Sequence, residues 1–177
     1  MIFTETKISG AFIIEPEKLE DNRGFFLRSW CKKEFDAYGL ESNFVQFNIS
    51  SSKKAGTLRG MHYQIAPHQE TKLIRCTKGL LYEVIIDLRP ESSSYMQWFG
   101  VELNAEMYQM LYIPAGLANG FLTLKNDTEV FYPATHFYCA ESERGIRWDD
   151  PSFGIEWPKT DALIISEKDK NWPDYSL

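Results

Sequence analysis

The stretch Gly56-Thr57-Leu58-Arg59-Gly60-Met61-His62-Tyr63-Gln64 sets one histidine beside a cation and a tyrosine. Only three histidines occur in 177 residues, and His62 sits in the densest cluster of polar and aromatic groups. A histidine that works as a base needs a partner on its other ring nitrogen, most often a carboxylate. Glu83, Asp87, Asp149, Asp150 and Asp169 are the candidates, and spacing alone does not choose among them. Lys72 follows ten residues later and reaches the next strand if Pro67 marks a turn. Tyr132 falls in a late strand, where its phenol could serve as an acid across a cavity. A base, an ammonium and a phenol around one pocket suit proton abstraction next to a carbonyl. The ammonium steadies the enolate oxygen and the phenol returns a proton.

These groups need a scaffold, and the chain reads as β. Strand-like runs recur at Ala11–Ile14, Leu73–Cys76, Tyr82–Asp87, Gln97–Glu102, Met110–Ile113, Gly120–Leu124 and Glu129–Tyr132. Turn signals separate them at Asp21–Gly24, Lys78-Gly79, Arg89-Pro90, Asn104, Pro114–Gly116 and Lys125–Asp127. Roughly ten-residue spacing of β-branched and aromatic runs predicts a sandwich or barrel. One helix is expected near Lys32–Tyr38 and another short piece at the carboxyl end. Without repeats, low-complexity linkers or composition shifts, residues 1–177 are expected to form a single all-β domain. The tail carries Trp148, Trp157 and Trp172, two of them followed by proline. It is too apolar to float and should lie across the body.

The balance of 19 basic against 25 acidic residues, a net charge of −6, argues against nucleic acid or an anionic membrane as partner. The amino end lacks a signal-peptide pattern, and no apolar run approaches the ~20 residues that cross a bilayer. Cys31, Cys76 and Cys139 are odd in number and lack CxxC spacing, so reduced thiols in a cytoplasmic protein are expected. The segment Pro114–Asn119 resembles the second half of the cupin signature, PxGxxH, but asparagine takes the histidine position. Tyr63 and Gln64 stand where the first half would supply HxH. A three-imidazole site cannot be built, so neither a metal nor another cofactor is expected. His68 and His136 read as surface or strand residues.

Taken together, Asp21–Phe26, Gln46–Ser52, Gly56–Gln64, Lys72-Leu73, Asp87–Arg89, Ile113–Gly116, Gly145–Pro151 and Ser166–Asp169 resemble the dTDP-4-dehydrorhamnose 3,5-epimerase family. This is a family of metal-free cupin epimerases acting on nucleotide sugars. The resemblance implies a cupin-type jelly roll with a few short peripheral helices. It implies an isomerase that inverts C3, C5 or both in a nucleoside-diphosphate 4-keto-6-deoxyhexose during deoxysugar biosynthesis. His62 would remove the proton α to the C4 ketone, Asp169 would pair with His62, Lys72 would steady the enolate, and Tyr132 would protonate the opposite face. Arg59 would meet the diphosphate, and Gln46, Asn48 and Tyr138 would line the sugar pocket. Arg23 and Phe26 would reach the nucleotide of a neighbouring subunit in a homodimer, the phenyl ring stacking on the base.

Three positions depart from the family pattern. Arg28 stands where the family usually has a glutamate that accepts the thymine N3–H. An arginine only donates, which suits the acceptors of cytosine and suggests a CDP-sugar in place of a dTDP-sugar. Asn119 replaces a common histidine and could still hydrogen-bond a phosphate or sugar oxygen. Pro133 removes a strand donor beside Tyr132. A 3,4-ketoisomerase or a non-catalytic sugar-nucleotide-binding cupin are the alternative functions. Which hexose is used, which centres invert and which pathway is served are not written in the sequence.

Overall fold

Alternation of inward apolar and outward polar residues folds the chain into two facing sheets. The computed structural model describes residues 1–176. The amino-terminal part contains β1 (Ile2–Glu5), β2 (Phe12–Glu15), the pair β3 (Lys18–Asp21) and β4 (Gly24–Leu27), and α1 (Lys32–Ala37). Then follow β5 (Gln46–Ser52), β6 (Thr57–Gln64), β7 (Lys72–Lys78), β8 (Leu80–Asp87), β9 (Trp98–Asn104) and β10 (Met110–Ile113). The remainder comprises β11 (Leu117–Thr123), β12 (Thr128–Ala134), β13 (Glu143–Gly145), β14 (Ile164–Ile165) and α2 (Glu167–Lys170). No helix among the described residues is long and apolar enough to cross a membrane.

One sheet runs β1-β2-β10-β7-β12-β5, and the other β13-β6-β11-β8-β9 with β14 added in parallel to β6. This is the jelly-roll architecture expected from the resemblance. The two short helices lie at the periphery; α1 is anchored by Phe35, which is buried against Phe3, Phe44 and Tyr112. The core between the sheets is built from side chains two residues apart, as the strand period dictates. Ile74 and Cys76 come from β7, Leu81 and Ile85 from β8, Leu117 and Phe121 from β11, and Val130 from β12. Each such side chain contributes roughly 1.5–3 kcal/mol when fully buried. The same inward rows carry polar residues at one end: Lys72 before Ile74, Glu83 between Leu81 and Ile85, Asn119 between Leu117 and Phe121, and Tyr132 after Val130.

Two local features shape that end. Gly60 has φ +126°, and a Cβ there would sit 2.5 Å from the Gly120 Cα. Only paired glycines let β6 and β11 approach this closely, and their register shifts between Asn119 and Phe121. Pro133 lies within an interior strand, a place proline seldom occupies. The ladder from β12 to β5 runs unbroken from Thr128 to Ala134, while the ladder to β7 pairs Phe131 and Ala134 but not Tyr132 or Pro133. The missing donor is therefore spent on one side of the strand only.

The tail returns to the body. Ile155, Trp157 and Tyr175 pack against the outer face of β8, on a cluster that includes Val84 and Ile86. Trp172 lies on Gly145, where a Cβ would meet its ring at 2.1 Å. Ile164 and Ile165 then pair with Thr57 and Leu58 of β6, and Ser166 caps α2 by accepting from the Asp169 N–H.

Candidate active site

The two sheets open at one end into a cavity of about 490 Å³ lined by His62, Lys72, Asn119, Tyr132, Arg59 and Asp169, among others. A smaller one of about 160 Å³ shares His62, Lys72 and Tyr132 and adds Gln46, Asn48 and Tyr138. The strand period accounts for the arrangement along β5. Gln46 and Asn48 face the pocket, while the alternate residues Phe47 and Ile49 are 62% and 67% exposed.

Of the five carboxylates open to His62, geometry selects Asp169. His62 Nε2 lies 2.7 Å from Asp169 Oδ1, across 107 residues of chain. Asp87 is instead held by Arg89, Ser92 and Ser94, Asp149 by Arg147, and Asp150 by the Ser152 and Tyr175 N–H groups. Asp169 also accepts from the Gly60 N–H at 3.3 Å and from Trp172 Nε1 at 3.3 Å. Burial pushes its carboxyl up, but these hydrogen bonds and the nearby imidazole outweigh burial and hold it below the ordinary aspartate value. A carboxylate only accepts, so Nε2 of a neutral His62 carries the proton and Nδ1 is left as the basic nitrogen.

Lys72 Nζ donates to Asn119 Oδ1 at 2.8 Å and forms an ion pair with Glu70, its Oε1 2.9 Å away. Asn119 Nδ2 in turn donates to Glu83 Oε1 at 2.9 Å. Glu70 also accepts from Gln64 Nε2. Tyr132 is pushed above its ordinary value by burial and by Glu70 and Glu83, with Arg59 opposing them, so its phenol keeps its proton. Arg59 is exposed at the rim and donates to Ser52 Oγ and the Ser51 carbonyl.

His62, Lys72, Tyr132, Asp169, Arg59, Asn119, Gln46, Asn48 and Tyr138 thus converge as expected. Arg23, Phe26 and Arg28 do not. They lie on or just after the β3–β4 hairpin, line neither pocket, and are largely exposed. Arg23 pairs with Asp21 at 2.6 Å, and Arg28 donates to Glu34 at 3.1 Å. His136 lines the smaller pocket, and His68 binds Ser142 Oγ at 2.7 Å. Sequence reasoning missed Glu70, Trp172 and the role of Glu83. Glu70 lies two residues before Lys72, ahead of the first residue of β7, where no strand pattern marks it. Among the described residues no group of three or more His, Cys, Asp or Glu side chains is arranged to hold a metal ion.

A jelly roll with an imidazole–carboxylate pair, an ammonium and a protonated phenol around one cavity defines a cupin built for acid–base chemistry. A family model described as dTDP-4-dehydrorhamnose 3,5-epimerase matches residues 5–176. A dTDP-4-dehydrorhamnose 3,5-epimerase from Sinorhizobium fredii is 42% identical over 98% of this chain and 89% of its own length. The crystal structure of such an enzyme from Elizabethkingia anophelis superposes with a TM-score of 0.96 at 38% identity, covering 99% of this chain and 96% of the other. A dTDP-6-deoxy-D-glucose-3,5-epimerase from Legionella pneumophila, in complex with dTDP-4-keto-L-rhamnose, gives a TM-score of 0.91 at 36% identity, covering 98% and 92%. The chain belongs to the dTDP-4-dehydrorhamnose 3,5-epimerase family.

Asp169→Asn is expected to leave the fold intact while weakening proton abstraction about 100-fold or more, because an amide can hold the wrong histidine tautomer. The lowered carboxyl stabilises the folded chain above the ordinary aspartate range, a gain lost as pH falls through its depressed value. The variant should therefore lose less stability than the parent on acidification. Turnover at neutral pH and melting curves at descending pH check both statements.

Proposed function

We propose that this enzyme inverts C3 and C5 of a nucleoside-diphosphate 4-keto-6-deoxyhexose through an enolate, without a metal. The observation that carries this reading is the opposition of His62 and Tyr132. His62 stands on β6 of one sheet and Tyr132 on β12 of the other, and both line the same cavity. A sugar bound between them presents one face to a base and the other to an acid. His62, held by Asp169, removes the proton α to the ketone, and Lys72 donates to the oxygen as negative charge gathers there. Tyr132 delivers a proton to the opposite face, and rotation of the ring between sites or a second round treats the other carbon. Arg59 at the rim meets the diphosphate, while Gln46, Asn48, Asn119 and Tyr138 hold sugar or phosphate oxygens.

Solvent deuterium tests this reading against a non-catalytic binder and against a 3,4-ketoisomerase. In deuterated water the enzyme should place label at C3 and C5, read by NMR of the product. His62→Ala should abolish exchange at both carbons and keep nucleotide affinity. Tyr132→Phe should retain exchange longer than epimer formation. Substrate recovered without label from the unaltered enzyme would sink the proposal.

The ligand named in the Legionella complex supports thymidine as the nucleoside. Arg28 favours a second reading, cytidine, since a guanidinium offers donors only. Its pairing with Glu34 already occupies part of that donor set. Turnover of matched dTDP- and CDP-4-keto-6-deoxyglucose decides: a strong dTDP preference removes the cytidine reading, and a CDP preference establishes it.

Two copies of the chain complete the site in this proposal, with Arg23 and Phe26 reaching the partner's nucleotide. An isolated two-stranded hairpin is marginal on its own, and β3–β4 pairs with no other strand. The outward Phe47 and Ile49 on the edge strand β5 add an apolar face to cover. Light scattering should give twice the 20.6 kDa chain mass at micromolar concentration; a monomer there would refute the shared site. The free thiols of Cys31, Cys76 and Cys139 fit a reducing compartment, which supports a cytoplasmic enzyme.

A further inference from the structure

Behind Asn119, which lines the cavity, lies a buried carboxyl that the scheme above leaves unused. Glu83 lies on the inward face of β8 and is 0% exposed. Its Oε1 accepts from Asn119, and its Oε2 has no hydrogen-bond partner among the described residues. A core carboxyl with one oxygen unpaired is costly, and a leucine at this position would remove the cost.

The direction of the hydrogen bonds explains what the carboxyl does. Lys72 can only donate, so Asn119 turns its amide oxygen toward the ammonium and its nitrogen away. That nitrogen needs an acceptor, and Glu83 Oε1 provides it. With Asn119 taking one of the three ammonium donors and the Glu70 carboxylate pairing with the charge from 2.9 Å away, Lys72 keeps N–H groups for a ligand in the cavity it lines.

We propose that Glu83 is a positioning residue: it locks the Asn119 amide in one orientation and thereby aims the remaining Lys72 N–H at the substrate's ketone oxygen. The inference rests on the epimerase reading given above. Burial pushes the carboxyl up to about 8, against the lowering effects of the Asn119 hydrogen bond and the Lys72 charge. Lys72 faces it from β7, Asn119 and Phe121 from β11, and the uncharged Val101 from β9; Tyr132 on β12 feels its charge. Below that value Glu83 is neutral and does not compete with the ketone for the Lys72 ammonium. Above it, a buried anion competes for the ammonium and raises Tyr132 further, so enolate stabilisation and reprotonation both weaken. Activity falls as pH rises through about 8.

Glu83→Gln mimics the neutral acid, with an oxygen for Asn119 and no charge to gain. Its kcat at pH 7 should stay near that of the parent, and its alkaline fall should move up by about one pH unit or more. Glu83→Leu frees the Asn119 amide and should lower kcat about 100-fold with a smaller change in KM. A Glu83→Gln profile that falls with the parent's overturns the inference, as does full kcat in a folded Glu83→Leu. If the leucine variant fails to fold, the glutamine profile alone decides. Absence of deuterium wash-in by the parent enzyme overturns the epimerase reading and this inference with it. Normal wash-in with an unshifted glutamine profile overturns this inference alone.

Discussion

The contact between His62 and Asp169 is the constraint on which the rest of the structure turns. It joins β6 to α2, the last helix among the described residues, at 2.7 Å. Three separate devices serve it. The β14 pairing sets the tail in register with β6, the Ser166 cap orients the first turn of α2, and Trp172 seats on Gly145. Each would be a minor packing detail elsewhere. Together they bring a buried carboxylate to an imidazole with both of its oxygens accepting hydrogen bonds, which offsets the cost of a charge in the interior.

The cavity electrostatics follow from where strand alternation places polar residues. Lys72, Glu83, Asn119 and Tyr132 occupy inward positions that apolar residues fill further along the same strands. One end of the sandwich is therefore a hydrophobic core and the other a reaction chamber, with no change of architecture between them. Ionic groups in that chamber compensate one another: the single ammonium is shared by Glu70 and the Asn119 amide, and the second carboxyl stays protonated near neutrality.

Much of this was legible in the sequence, and the failures have physical causes. Met110–Ile113 matches β10 end for end, and the Lys32–Tyr38 helix differs from α1 by one residue. Those runs carry strong local patterns. The pattern of β5 hides the strand because polar Gln46, Asn48 and Ser50 line the cavities on the inward side, while Phe47 and Ile49 lie outward, reversing the usual polarity. The β3–β4 hairpin has no buried face at all, so periodicity had nothing to report. The family likeness chose Asp169 over four other carboxylates, a choice no local signal could make across 107 residues. Glu83 was legible as a carboxylate, but its partner is an amide on the adjacent strand. Pairing partners of that kind are set by sheet register, which spacing along the chain does not encode.

The route by which the tail reaches the pocket has a kinetic consequence. Residues 159–163, just before β14, are exposed and belong to no regular element. This strap is the tether that converts the meeting of Asp169 with His62 into an encounter within one molecule, at an effective concentration that a free peptide could not match. A single cut in the strap would leave both sheets and their core intact. It would leave Asp169 held to His62 only through the noncovalent contacts of β14 and Trp172. The His62–Asp169 pair is thus a property of chain continuity as much as of the sandwich that displays it.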